Sequence, residues 1–266
     1  MQKVKFSVVI NTFERETQIK DLKKCFKSVF SQTYKPSEII LIHSGHKKID
    51  PLFLKKYKNK IHIINCKKST NISQARNIGA KRCTKQFLAF IDDDDLWGIN
   101  YLKKSLSFIK KNDAKIILSS VYVTVNNKIV LFREPKSDQL LNYFDINIGA
   151  MGSNIIIHKK EFNSVKGFDP KLIVSEDKGI IMDLIIKKKK IFFQKNYVWY
   201  NLGTPNSVTK QPIKMINGLT AFINKYGNFM NLKNKIFIYK KIFSYKKKIN
   251  YFYYLHFIFF LILNKL

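Results

Sequence analysis

Apolar and polar positions alternate in blocks along about the first 110 residues. Residues 5–10, KFSVVI, form a short β-rich apolar run. The next apolar positions, Ile19, Leu22, Phe26 and Val29 or Phe30, recur at the spacing of one helix face. Pro36 bars that helix from continuing. A second strand follows at 38–42, ended by Ser44 and Gly45, and a third at 61–65. Residues 73–83 read as a helix with Ser73 as its cap. The run FLAFI at 87–91 is a fourth strand, and Ile99, Leu102, Leu106 and Ile109 mark the helix after it. Alternation of this kind predicts an α/β fold, a parallel sheet flanked by helices. Such a sheet commonly binds nucleotides, but it does not by itself name a reaction.

The fourth strand stops at Asp92, Asp93, Asp94 and Asp95. Adjacent carboxylates repel, and a cation among them relieves the cost. The end of a buried strand is where an α/β sheet places its ligands, and hard divalent cations that also bind phosphates take carboxylate oxygens. The chain has only 18 acidic residues, so four in a row are not compositional noise. The run reads as a metal–diphosphate site rather than a solvated acidic turn. No glycine-rich fingerprint follows the first strand and no Walker-type lysine loop is present, so kinase, ATPase and dehydrogenase readings lose their main support. After the first strand, Thr12 and Phe13 offer a small polar group and an aromatic ring, the latter equally suited to stacking or to the core.

Charge changes the picture at the other end. The chain carries 49 Lys plus Arg against 18 Asp plus Glu, a formal net charge of +31. Only Arg15, Arg76, Arg82 and Arg133 are arginines, which argues against sequence-specific nucleic-acid recognition. Abundant Lys, Asn, Ile, Phe and Tyr together suggest an AT-rich genome as one source of the excess. Yet residues 184–266 hold no Asp or Glu and 16 Lys, a distribution suited to an anionic membrane surface. The run YFYYLHFIFFLIL at 251–263 falls short of the roughly 20 residues needed to span a bilayer. It is expected to lie in the interface, the alternative being that it packs on its own domain or on a partner. Cys25, Cys66 and Cys83 show no metal-ligand spacing, and no signal peptide precedes the first strand. The expected location is the cytoplasm, peripheral on the inner face of the plasma membrane.

Four segments then carry a family resemblance. VVINTFERETQIKDLKKCFKSVFSQTY, NISQARNIGAKRC, FIDDDDLW and GSNIIIHKKEFNSVKGFDPKLIVSEDKGIIMDLI occur in that order over about residues 4–200. Together they resemble the inverting family 2 glycosyltransferases of bacterial surface-glycan type. The resemblance implies a GT-A fold, a Rossmann-like sheet flanked by helices, over residues 1–205. Its nucleotide-binding half would cover about 1–112 and its acceptor half about 113–205. Beyond Tyr200 the resemblance ends, and the composition of residues 206–266 leads us to expect a basic, aromatic, mainly helical appendage associated with the membrane surface.

By the same resemblance, Thr12 and Phe13 would line the base pocket and Arg76 would help hold the nucleotide. Asp92 and Asp94 would be the Asp-x-Asp pair on Mn²⁺ or Mg²⁺, with Asp92 and Asp93 also on the nucleotide-sugar side. Asp177 would be the general base, kept ionised by the dipole of the helix it opens, with Glu176 beside it. One departure is clear. Where the family usually has two acidic residues after the second strand, this chain has His43 and Ser44. His43 stays a nucleotide-binding candidate, but a neutral imidazole does not reproduce a carboxylate accepting from a uracil N–H. The expected activity is metal-dependent transfer, with inversion, of a sugar from a nucleotide diphosphate to a hydroxyl of a surface polysaccharide, lipooligosaccharide or lipid-linked glycan. The alternatives are a sugar nucleotidyltransferase on the same scaffold and a non-enzymatic basic protein that binds membrane or RNA.

Overall fold

The computed structural model describes residues 4–57, 59–125, 128–134, 149–201 and 210–247. In chain order it builds β1 (Phe6–Phe13), α1 (Gln18–Phe30), β2 (Glu38–Ser44), α2 (Pro51–Lys55), β3 (His62–Cys66), α3 (Ile72–Arg82), β4 (Phe87–Asp92), β5 (Leu96–Trp97) and α4 (Tyr101–Asn112). Then come β6 (Ile116–Val125), β7 (Lys128–Arg133), β8 (Ile155–His158), α5 (Lys159–Ser164), α6 (Glu176–Ile186), β9 (Phe192–Trp199), α7 (Pro212–Tyr226) and α8 (Leu232–Lys247). The strands form one mixed sheet in the order β3-β2-β1-β4-β8-β6-β9-β5, with β7 paired to β6. β3, β2, β1 and β4 are parallel, so Phe13, Ser44 and Asp92 end along one edge. β8 runs against β4 and begins the second half of the sheet.

Period-two alternation sorts the strand residues onto two faces. Phe6, Val8 and Ile10 of β1 pack with Leu22 and Phe26 of α1 and with Tyr101 and Leu102 of α4. Val9, Leu88 and Phe90 turn the other way, against α3, α5 and α6. The four strands and three helices read from the first 110 residues are present as β1–β4, α1, α3 and α4, with three local differences. β1 runs on to Phe13 and α1 starts only at Gln18, because Glu14 and Arg15 turn into the loop between them. α3 is capped by Asn71 in a reciprocal box with Gln74, while Ser73 lies buried with its hydroxyl directed at the Leu172 carbonyl. The short α2, opened by an Asp50 cap and Pro51, was not anticipated.

The change of composition near residue 205 is not a break in packing. Leu219, Phe222, Ile223 and Tyr226 of α7 and Ile238 and Ile242 of α8 complete the same core as α3 and α6. The apolar run at 251–263 lies outside the described residues. Truncation after Met230 removes Ile238 and Ile242, which are 3% and 7% exposed. At about 1.5–3 kcal/mol for each buried side chain, the loss should be about 3–6 kcal/mol, seen as a lower urea midpoint. An unchanged midpoint would show that α8 is not part of the core.

Candidate active site

Alternation splits the four aspartates. Asp92 and Asp94 are half-buried, while Asp93 and Asp95 turn inward at 3% and 1% exposure. Asp93 is gripped by Arg15, whose two terminal nitrogens each donate at 2.8 Å, and it also accepts from the Thr12 hydroxyl. Arg15 reaches on to Asp21 at 3.0 Å. Thr12 in turn accepts from the Gln18 amide at 2.9 Å, and the same amide nitrogen donates to Nδ1 of His43 at 3.1 Å. The other ring nitrogen of His43 donates to the Lys47 carbonyl at 2.7 Å, so its hydrogen bonding is complete within the protein. Thr12, His43 and Asp93 thus join one buried chain under the strand ends. Phe13 lies half-buried at the tip of β1.

Asp95 is held from the far half of the sheet. Its carboxylate accepts from the Ser153 hydroxyl and from the backbone N–H of Asn201 at 3.1 Å. Ser153 also accepts from the Asp92 N–H at 2.9 Å, and its carbonyl receives the Trp97 indole at 2.8 Å. Burial, then the charges of Asp94 and Asp92, push the Asp95 carboxyl well above the usual carboxylate range. Tyr200 faces the same basin. Burial first, and then Asp95, Asp92, Asp94 and Asp177, raise its hydroxyl above the ordinary tyrosine value.

On the other side of the sheet, Arg76 of α3 spans two elements. One terminal nitrogen meets both oxygens of Asp92 at 2.9 Å, and the other meets Glu176 at 2.7 Å. The guanidinium is buried and lies over the Phe168 ring at 5.2 Å. Burial opposes its charge, but Asp92 and Glu176 hold it above the ordinary arginine range. Gly152 makes the passage possible, since a Cβ there would stand 1.8 Å from an Arg76 nitrogen. Asp177, next to Glu176 at the start of α6, is half-buried and densely surrounded. Burial and then Glu176 push its carboxyl from 3.8 up to about 7, against the pull of Arg76. Burial and the Glu176 charge thus act on Asp177 against the pull of the α6 N-terminus.

Two helices clamp the segment that leads to Asp177. Asn77 of α3 exchanges hydrogen bonds with the Phe168 backbone at 2.7 and 2.9 Å. From α7, Lys225 bridges Asp169 and Asp183 at 2.9 Å each, and the Tyr226 hydroxyl lies 2.9 Å from the Gly179 carbonyl. The structure gathers Arg76, Asp92, Glu176 and Asp177 on one side of the sheet and Thr12, His43 and Asp93 on the other. Asp94 stands at the edge between them. Arg15, Gln18 and Ser153 were missed by sequence reasoning. Arg15 alone carried a signal, as one of four arginines in a lysine-rich chain.

A family model described as Glycosyl transferase family 2 matches residues 7–162. The amylovoran biosynthesis glycosyltransferase AmsB of Erwinia amylovora is 24% identical over 79% of this chain and 72% of its own. The poly(ribitol-phosphate) beta-N-acetylglucosaminyltransferase TarP of Staphylococcus aureus is 26% identical over 74% of this chain and 62% of its own. An uncharacterized glycosyltransferase of Rickettsia bellii is 34% identical over 42% of this chain, an alignment spanning 16% of that protein. Crystal structures of S. aureus TarS share the fold with a TM-score of 0.63 at 17% identity, over 93% of this chain and 44% of TarS.

Replacing Arg76 by Met leaves Asp92 and Glu176 facing each other without the intervening cation. Breaking a buried pair in this way costs about 3 kcal/mol or more. The deficit should be large in urea unfolding at pH 7 and smaller at pH 5, where the stranded carboxylates take up protons. An equal deficit at both pH values would mean that Arg76 acts through packing alone.

Proposed function

The chain belongs to glycosyl transferase family 2, and from that premise we propose that it moves one sugar, with inversion, from a nucleotide diphosphate to a hydroxyl of a surface-glycan acceptor. The observation that carries this reading is the Arg76 bridge, which ties the carboxylate at the end of β4 to the carboxylate pair opening α6. A uridine diphosphate donor is supported by the fold neighbour TarS, solved in complex with UDP-GlcNAc.

In this reading the ionised Asp177 takes the proton from the acceptor hydroxyl. The freed oxygen bonds to the anomeric carbon while the bond from that carbon to the diphosphate oxygen breaks. The electron pair leaves with the diphosphate, and attack from the opposite face inverts the centre. Arg76 fixes the distance between the two halves of the site, and holding groups in reacting geometry is itself a large part of catalysis. His43, with both ring nitrogens engaged, shapes the wall of the base pocket rather than reading the base. Thr12 and Asp93 brace the same wall, and Phe13 offers its half-open ring to the base.

Asp92 and Asp94 would hold a Mn²⁺ or Mg²⁺ ion. Their hard oxygens suit such cations, and each Asp92 oxygen, which accepts from Arg76 at 2.9 Å, keeps a further lone pair for the ion. Among the described residues no group of three or more His, Cys, Asp or Glu gathers that could hold the ion alone. The remaining positions then fall to diphosphate oxygens and water, as small hard cations prefer at phosphate sites. When bound, the ion neutralises charge that develops on the leaving diphosphate. We also assign the acid-free C-terminal region, with its 16 lysines, to the anionic inner face of the plasma membrane, next to a lipid-linked acceptor. No described helix is long and apolar enough to cross a membrane.

Asp94→Ala should abolish Mn²⁺-dependent UDP binding, measured by calorimetry, while the unfolding midpoint stays level or rises as carboxylate repulsion is relieved. Wild-type affinity in that variant would remove Asp94 from the metal site. A second test uses pH. Because Asp177 holds its proton up to about 7, the ionised fraction and the turnover number for donor hydrolysis should climb as pH rises through that value. Its effect on folding has the opposite sign: the contribution is full below the unfolded carboxylate pKa and is lost as pH rises toward about 7. Asp177→Asn should erase the rising limb and lower turnover by about two orders of magnitude, with UDP affinity kept. Survival of the limb in that variant would move the base elsewhere.

A further inference from the structure

A groove of about 510 Å³ lies between α4 and β9, away from the aspartates, and Lys103, Lys104, Lys111, Lys195, Phe108 and Gln194 line it. Among the described residues no carboxylate lines it. Lys103 and Lys111 stand on one face of α4, two turns apart, with Ser107 between them. Lys103, Lys104 and Lys111 make no ion pair among the described residues. Among the described residues Lys195 pairs with Glu134 alone, at 3.6 Å with its own side chain 86% exposed, a contact of little weight. Lysines left unpaired around a concavity repel one another, and an anion in the groove relieves that repulsion.

The groove continues into an aromatic strip. Lys195, Tyr197 and Trp199 share one face of β9, and Tyr197 is 43% exposed. The Tyr197 and Trp199 rings stack at 5.8 Å, and Lys104 stands 5.1 Å from the Tyr197 centroid. Gly98 leaves room beside the strip, since a Cβ there would come within 3.3 Å of the Tyr197 Cβ and 3.4 Å of the Trp199 ring. The strip ends at Tyr200 and Asn201, whose backbone N–H holds Asp95. Asn201 lies six residues beyond Lys195, two past the end of β9, about 20 Å along an extended chain at roughly 3.3 Å per residue. An occupant that touches both ends must be a chain of several units, anionic at one end and able to lay flat rings on aromatics in between.

We propose that the α4–β9 groove and the Tyr197–Trp199 strip bind an extended anionic glycan, the acceptor, with its charged groups on the lysines and its sugar rings on the aromatic faces. This rests on the glycosyl-transfer reading above. The test uses two variants of equal charge change, Lys103→Gln/Lys104→Gln/Lys111→Gln in the groove and Lys23→Gln/Lys24→Gln/Lys27→Gln on the exposed face of α1. The probes are a heparin decasaccharide, inorganic polyphosphate and phosphatidylglycerol vesicles. The groove variant should bind the decasaccharide about tenfold or more weakly, with a shallower salt dependence, while the α1 variant changes by less than about twofold.

Tyr197→Ser should weaken the decasaccharide and leave polyphosphate unaffected, because only the glycan carries rings to stack. Equal losses in the two triple variants would reduce the effect to bulk charge and overturn the proposal. A groove variant that loses vesicles, with Tyr197→Ser silent toward the decasaccharide, would make the occupant a lipid surface and overturn it too. If the groove triple variant proves unfolded by circular dichroism, Lys104→Gln alone carries the comparison against Lys24→Gln. Mn²⁺-dependent UDP binding by the wild type, measured on the same preparation, reports on the transfer reading separately. Its absence sinks that reading, whereas equal losses in the triple variants sink only the groove.

Discussion

The site depends on one buried cation. Arg76 reaches from α3 to Asp92 on β4 and to Glu176 on α6, elements that approach one another only because the sheet and its covering helices are complete. Without a positive charge between them, three carboxylates counting Asp177 would crowd a poorly solvated space, and burial would drive them toward the protonated state. With it, Asp92 and Glu176 each pair with the guanidinium, at 2.9 and 2.7 Å, and its pull on Asp177 opposes burial and the Glu176 charge, which push that carboxyl up to about 7. One guanidinium therefore sets both the geometry and the ionisation of the site, which explains why the fold spends a glycine at 152 to admit it.

The aspartate run shows the same economy in a different form. Four adjacent charges would be costly on any one face, and the strand geometry distributes them. Asp93 goes to Arg15, Asp95 to Ser153 and the Asn201 backbone, and Asp92 to Arg76. Each partner lies on a different element, so the run also works as a junction that registers β1, β9 and α3 against one another. Buried polar networks of this type favour one arrangement of the elements they join, and here the Arg76 Nε alone of that guanidinium's nitrogens lacks a partner among the described residues.

Much of this was legible in the residues. Hydrophobic periodicity located β1 to β4, α1, α3 and α4, and the acidic run located the end of β4. What escaped were partners distant in sequence: Arg15 meets Asp93 across 78 residues, and Ser153 meets Asp95 across 58. Local pattern carries no information about such pairs. Two local misses were avoidable. Asn71 and Gln74 spell a capping box that Ser73 does not, and Asp50 before Pro51 is a helix-start signal. The lysine-rich composition of the last 60 residues disguised the apolar stripe by which α7 and α8 join the core, because a stripe of few buried positions is easily outvoted in a window average.

The docking of α7 and α8 has a consequence for how this chain responds to its medium. These helices are held by apolar burial and by Lys225, while their remaining lysines repel a body that is itself strongly basic. Added salt screens that repulsion and leaves the apolar contacts untouched. The folded chain should therefore gain stability with ionic strength over the same range in which the proposed attraction of its lysines for polyanions is screened. Compactness and the proposed adhesion would be driven in opposite directions by a single variable, so the salt that tightens the fold loosens its grip.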